Sequence, residues 1–156
     1  MPIGESFETD EKMKKLRIKN FIPGLAWFFV ILILICLPGD DIPQPRGWFQ
    51  WMNLIQFDKL VHSGIFAVLT FLFIRPIARA GFSKKQQWHY FLGIALAACI
   101  WGLTTELIQK FFIPTRQFDL IDWTADSLGV LLALLFCRYY FLKKQAKTGE
   151  LRVGEH

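Results

Sequence analysis

Acidic and basic side chains gather in two short stretches of a sequence that is otherwise strongly apolar. The first stretch is FDKLVH at 57–62, and the second is TELIQKFFIPTRQFDLIDWTADSLG at 105–129. Together they supply nine candidate ligand-binding residues: Asp58, Lys59, His62, Glu106, Gln109, Arg116, Asp119, Asp122 and Asp126. A mixture of carboxylates, an imidazole and a guanidinium can bind a polar ligand or move a proton.

Helical spacing groups these residues. The sets are Asp58 with His62 at i, i+4, Glu106 with Gln109 at i, i+3, and Asp119, Asp122 and Asp126 at i, i+3, i+7. Residues at such spacings share one face of a helix. Three helices are therefore predicted to carry one polar stripe each.

The residue types in this cluster are compatible with several chemical roles. His62, Glu106 and Asp122 are the candidates for a catalytic acid or base. Lys59, Arg116 and His62 could instead hold a phosphate or carboxylate, with Arg116 offering a bidentate fork. Glu106, Asp122, Asp126 and His62 are also oxygen and nitrogen ligands suited to a hard divalent cation. Because no dense ligand motif of the HExxH kind occurs, we expect no metal and no other cofactor. Since no nucleophile motif such as GxSxG occurs either, the sequence leaves open whether the protein is an enzyme.

The composition places these residues in a membrane protein. The chain has 156 residues, of which 53% are hydrophobic, with 16 Phe and 6 Trp. A soluble domain of this size rarely hides so much apolar surface. The net charge of +5 lies in basic residues that flank apolar runs, so no nucleic-acid partner is expected.

The apolar runs predict an all-α fold with four transmembrane helices at about 21–39, 60–80, 88–108 and 119–142. A helix of about 20 residues spans the hydrocarbon core. The four-helix domain thus covers 21–142, between a basic segment at 1–20 and a polar tail at 143–156.

The distribution of basic residues predicts the orientation. Of 18 Lys and Arg residues, 14 lie at the two termini and in the 75–87 loop, and 4 lie in the other two connections. By the positive-inside rule both termini are cytoplasmic. All nine candidate residues then lie towards the outer face, where charged groups should face one another or a wet cavity.

Structural roles account for part of the pattern. Asp119 and Asp58 are each candidates to cap a helix N-terminus, with Asp122 favoured by the helix dipole. The remaining charges could join helices in pairs, namely Glu106 with Arg116, Asp58 with His62, and Lys59 with Asp122.

The two stretches resemble the VanZ-like family of bacterial membrane proteins. FDKLVHSGIF resembles one conserved block of that family, with an aromatic at Phe66. The second block resembles Glu-x-x-Gln, an Arg after a short turn, Asp-x-x-Asp and a later Asn or Asp before Gly, here Glu106 through Gly129. Asn is common where this chain has Asp126, which argues against a titrating role for Asp126 itself.

The resemblance implies a multi-pass protein of the bacterial cytoplasmic membrane with a role in the cell envelope, related to glycopeptide (teicoplanin) resistance proteins. The expected function is to bind or act on an envelope lipid or lipid-linked precursor, with membrane lipids and an anionic headgroup as partners. The alternatives are a non-enzymatic protein that docks a membrane protein partner, with the cluster holding helices together, and a small oligomeric transporter.

Overall fold

The computed structural model describes residues 16–36, 57–113 and 118–142, and every regular element within them is a helix. A 3₁₀ helix at Ile18–Phe21 leads into α1. The α-helices are α1 (Ile22–Cys36), α2 (Phe57–Arg79), α3 (Lys84–Phe112) and α4 (Leu120–Cys137), which continues into a π-helical turn at Arg138–Leu142. The prediction of an all-α protein is confirmed.

Three of these helices are long and apolar enough to cross a membrane. They cover Asp58–Arg79, Lys84–Phe112 and Leu120–Phe141, whereas the apolar helix at Ile18–Leu34 is shorter. The chain is therefore an all-helical membrane protein by length and composition. A fourth span at 21–39 and cytoplasmic termini stay predictions, because residues 1–15, 37–56 and 143–156 lie outside the described residues.

Two helices extend beyond the apolar runs that predict them. α2 begins at Phe57 rather than at residue 60, and α3 begins at Lys84 rather than at residue 88. A capping box starts α3, since the Ser83 hydroxyl accepts from the Gln86 amide and the Gln86 side chain accepts from the Ser83 amide. Such reciprocal bonds satisfy free N–H groups and add a polar first turn that hydropathy does not register.

Each long helix buries one face and leaves apolar side chains exposed on the other, and on α3 and α4 many of these are leucines. On α3 the buried face includes Phe91, Ala95, Ala98 and Gly102. The opposite face leaves Leu96 64% exposed, which is the arrangement of a helix that faces lipid. Small residues on the buried side let helices approach closely, as they do in membrane bundles.

The buried faces become polar at one end of the bundle. On α3 the apolar stripe continues into Thr105, Glu106 and Gln109, which are 2%, 1% and 3% exposed. α4 shows the same change in the opposite chain direction, since buried Asp122 and Asp126 precede a buried apolar stretch. The first turns of α2 and α4 therefore meet the last turns of α3 in a polar layer.

Candidate functional site

The polar layer begins with Lys59 in the first turn of α2. Its Nζ lies 3.1 Å from Asp58 Oδ2 and 3.1 Å from Asp119 Oδ2, and it also donates to Asp122 Oδ1. The Lys59 and Asp122 side chains are 18% and 12% exposed, whereas that of Asp119 is 41% exposed. The ammonium group of Lys59 thus joins the start of α2 to the start of α4 through the carboxylates of Asp119 and Asp122.

His62 lies one turn further along α2 and faces Asp126 of α4. The His62 Nδ1 atom lies 3.1 Å from Asp126 Oδ1, and the Asp126 side chain is completely buried. A histidine paired with a buried carboxylate is an arrangement suited to proton transfer. Of the predicted acid–base candidates, His62 is therefore paired with a buried carboxylate, whereas Asp122 is bound to Lys59.

Two glycines make room for this pair. A methyl group added at Gly129 on α4 would overlap the Ser63 carbonyl and lie 2.9 Å from the Ser63 Cα, so α2 and α4 are in backbone contact there. A methyl added at Gly102 on α3 would lie 3.2 Å from Asp126 Oδ2. Because Ser63 follows His62 and Gly129 lies one turn after Asp126, this close approach sets the distance between the pair.

Glu106 connects the end of α3 with the start of α4. Its Oε2 accepts a hydrogen bond of 3.0 Å from the backbone amide of Asp119. The Asp119 side chain in turn accepts from the Ile121 amide at 2.7 Å and caps α4. The Ile121 amide and then the Lys59 ammonium lower the pKa of Asp119 below its ordinary value of 3.8.

The structure confirms some of the predicted contacts and corrects others. Asp119 is the N-cap of α4, and Lys59 pairs with Asp122, both as predicted. Asp58 lies inside the first turn of α2 rather than at its N-cap, because the helix already begins at Phe57. His62 pairs with Asp126 rather than with Asp58, since His62 faces α4 and Asp58 contacts Lys59.

Two further candidates complete the comparison. Gln109 is buried one turn from Glu106 on the same face of α3. Arg116 falls in 114–117, outside the described residues, so its predicted pairing with Glu106 stays a prediction. Within the described part of the chain, eight of the nine candidate residues can be placed, and all eight lie at one end of the bundle.

Sequence reasoning did not identify Gly102 or Trp123 as positioning residues. Trp123 Nε1 donates to the Cys99 carbonyl at 3.1 Å and joins α4 to α3 beside Asp122. A glycine inside an apolar helix is a usable signal of close approach, and Gly102 has that signature one turn before Glu106.

His62, Glu106 and Asp126 also form a group that could hold a metal ion. Each offers one ligand atom, and the three atoms all lie within 4.8 Å of one another. They come from α2, α3 and α4 respectively, so only the folded bundle brings them together.

Comparison with known proteins identifies a eukaryotic relative. The uncharacterized protein C11E3.10 of the fission yeast Schizosaccharomyces pombe is 30% identical over 132 residues, which cover 83% of this chain and 72% of the yeast protein. The chain belongs to the same family as this yeast protein. No protein-family model matches the chain. No solved structure matches it either. The VanZ-like resemblance therefore stays a prediction, and membership of this family does not depend on it.

Proposed function

We propose that this family member is a VanZ-like membrane protein whose polar layer binds the polar headgroup of a membrane lipid or lipid-linked precursor. The observation that carries the proposal is the convergence of charged and polar side chains from three apolar helices at one end of the bundle. Ionisable residues inside membrane spans are costly and usually serve a function. In this layer Glu106 and Asp126 are 1% and 0% exposed, which is far more burial than a solvated helix end requires.

The proposed topology has four spans, with both termini cytoplasmic and the polar layer near the outer face. The two ends of the described bundle support it by their charges. The end that holds Arg79, Lys84, Lys85 and Arg138 is basic, whereas the opposite end holds most of the carboxylates. At the basic end Arg138 lies over the Trp88 ring at 4.7 Å, as expected for an anchor at the interface.

The yeast relative narrows the choice of headgroup that we propose as the ligand. A function shared with a eukaryote needs a headgroup that occurs in both kinds of membrane, which favours a phospholipid or polyprenyl phosphate over a precursor specific to bacterial cell walls. A link to teicoplanin resistance and a bacterial cytoplasmic membrane remain proposals from the resemblance alone. Since Lys59 is already bound by three carboxylates, an anionic headgroup needs a further cation, for which Arg116 is the sequence candidate.

The test is to identify the lipids that co-purify with the protein. Wild type, His62→Ala and Arg116→Ala are purified in the same detergent, and their lipids are compared by mass spectrometry with those of the source membrane. We expect one headgroup class to be enriched on wild type and lost from both variants. His89→Ala is the matched control, because His89 is exposed near the start of α3 and should retain the lipid. Identical bulk-like lipid profiles for all four proteins would contradict the proposal.

A second candidate function is helix assembly or docking of a membrane protein partner. The observation that favours it is that the polar contacts join different helices, with Lys59 and His62 of α2 bound to carboxylates of α4. Polar contacts in membranes contribute about 0.6 kcal/mol on average, so a purely structural role predicts a loss of thermal stability without any specific lipid. A co-purifying protein partner lost from His62→Ala would favour this candidate.

A further inference from the structure

His62, Glu106 and Asp126 have the chemistry and spacing of a metal-binding triad. One imidazole nitrogen and two carboxylate oxygens lie within 4.8 Å of one another. The His62 Nδ1 to Asp126 Oδ1 distance is 3.1 Å. Two ligands that bind one ion tetrahedrally at about 2.0–2.2 Å are separated by about 3.3–3.6 Å. This pair would therefore need to separate by only a few tenths of an ångström to share an ion.

Two buried carboxylate oxygens in this triad lack a partner. Glu106 Oε1 and Asp126 Oδ2 make no hydrogen bond with any described residue, and their residues are 1% and 0% exposed. The other oxygen of each carboxylate is bound, by the Asp119 amide and by His62 respectively. A buried oxygen left without a partner is unfavourable, because its desolvation is not compensated. Both oxygens belong to the residues that form the triad, and a cation bound there would compensate both carboxylates.

The nearby lysine does not fill this role. Lys59 is engaged by Asp58, Asp119 and Asp122, one helical turn nearer the start of α2 than His62. Among the described residues, the carboxylates of the layer outnumber its cationic groups; the carboxylates are Asp58, Glu106, Asp119, Asp122 and Asp126, and the potential cations are Lys59 and His62. The deeper half of the layer contains Glu106 and Asp126, and His62 is the potential cation beside them among the described residues.

We propose that His62, Glu106 and Asp126 bind a divalent first-row transition metal ion such as Zn²⁺ or Mn²⁺. An imidazole ligand disfavours Mg²⁺ and Ca²⁺, which prefer oxygen, and two carboxylates disfavour Cu⁺. Three protein ligands leave further coordination positions open for water or for an oxygen of a bound molecule. Glu106 is already oriented by the Asp119 amide at its Oε2, which is the kind of outer contact that metal ligands use.

This inference is independent of the lipid proposal, because it depends only on the three side chains. The experiment uses tag-free, full-length protein, delipidated in detergent and stripped with a chelator. Zn²⁺ or Mn²⁺ is then titrated by calorimetry, and bound metal is measured by elemental analysis after dialysis. We expect about one ion per chain. His62→Gln, Glu106→Gln and Asp126→Asn should each weaken binding by more than the ~10–100-fold seen for outer-shell changes.

A control variant matches the histidine substitution chemically. His89→Gln removes an exposed histidine near the start of α3, at the opposite end of the bundle from the triad. It should bind metal as wild type does. Retention of wild-type affinity in the three triad variants, or no stoichiometric binding by wild type, would overturn the proposal while leaving the lipid test unaffected.

A spectroscopic measurement tests the site without any triad variant, so it remains informative if those variants fail to fold. Pulsed electron paramagnetic resonance of Mn²⁺-loaded protein detects nitrogen coupling when a histidine binds the ion directly. We expect such coupling in wild type and in His89→Gln. Bound Mn²⁺ without nitrogen coupling would exclude His62 as a ligand and overturn the proposed site.

Discussion

Replacing Lys59 by Met tests whether one ammonium group holds the starts of α2 and α4 together. Met has about the length and apolar stem of Lys but lacks the ammonium group, so the three carboxylates lose their positively charged partner. An exposed ion pair contributes about 0–1 kcal/mol, whereas removing one partner of a buried pair costs about 3–5 kcal/mol. Asp58 and Asp119 are 61% and 41% exposed and add little, so the expected loss comes mainly from Asp122, which is 12% exposed.

Because Lys59 and Asp122 are largely but not fully buried, we expect a loss of about 2–3 kcal/mol, between those two limits. For a chain of this size that corresponds to a decrease in Tm of about 4–12 °C. Thermal unfolding in detergent, followed by tryptophan fluorescence, measures it. Lys110→Met is the matched control, since Lys110 is exposed at the end of α3 and its loss should change stability by less than about 0.5 kcal/mol.

A double-mutant cycle makes this prediction specific. Asp122→Asn removes the carboxylate that Lys59→Met leaves unpaired, so the double variant should recover part of the lost stability. The expected coupling energy is about 0.5–3 kcal/mol. An unchanged Tm for Lys59→Met, or additive effects of the two substitutions, would refute the reasoning.

Three further predictions concern packing, pH and capping. Gly129→Ala should lower stability by about 1–3 kcal/mol or more in thermal unfolding, because the added methyl meets the backbone of Ser63; Gly93→Ala, with open space around the added methyl, is the control. Asp119→Asn should keep the cap of α4, since Asn caps as well as Asp, but weaken the acid dependence of stability. The pKa of Asp119 is lowered in the folded state, so its contribution is present above its ordinary pKa of 3.8 and is lost as the pH falls through the lower folded value. The Tm difference between about pH 6 and about pH 3 should therefore be smaller in Asp119→Asn than in wild type. Ser83→Ala should cost about 1 kcal/mol through loss of the capping box, without affecting metal or lipid binding at the opposite end.

Each of these predictions has a contrary outcome. Equal stability of the two alanine variants would mean that α2 and α4 are not in backbone contact at Gly129. An unchanged pH dependence in Asp119→Asn would contradict the lowered pKa of Asp119, and with it the effect of the Ile121 amide and of Lys59 on that carboxylate. Loss of metal or lipid from Ser83→Ala would show that the two ends of the bundle are coupled.

The fold and the location of the site could be predicted because they depend on patterns along the chain. Apolar runs of sufficient length predicted helices α2 to α4, and helical spacing predicted that Asp122 and Asp126 share a face of α4. In an antiparallel bundle the starts of α2 and α4 lie beside the end of α3. This arrangement brings Lys59 to Asp122, as expected.

The partner of each side chain could not be predicted in the same way. His62 is four residues from Asp58 in sequence, yet it contacts Asp126, because the rotation of α2 is set by the backbone contact between Ser63 and Gly129. The proposed metal-binding triad was not singled out for the same reason, although its three residues are among the possible ligands that the sequence offers. Its three ligands are one per helix, so no spacing motif in the sequence reveals them.

The most direct test of the central claim is a paired measurement on Glu106→Gln, in which bound lipid and Tm are determined on the same purified sample. Glu106 is buried and accepts the Asp119 amide, and Gln can still accept that hydrogen bond through its carbonyl oxygen. If the polar layer is a binding site, the variant should lose the enriched lipid while its Tm stays close to that of wild type. A large loss of Tm with no specific lipid on either protein would show that the layer only holds the helices together.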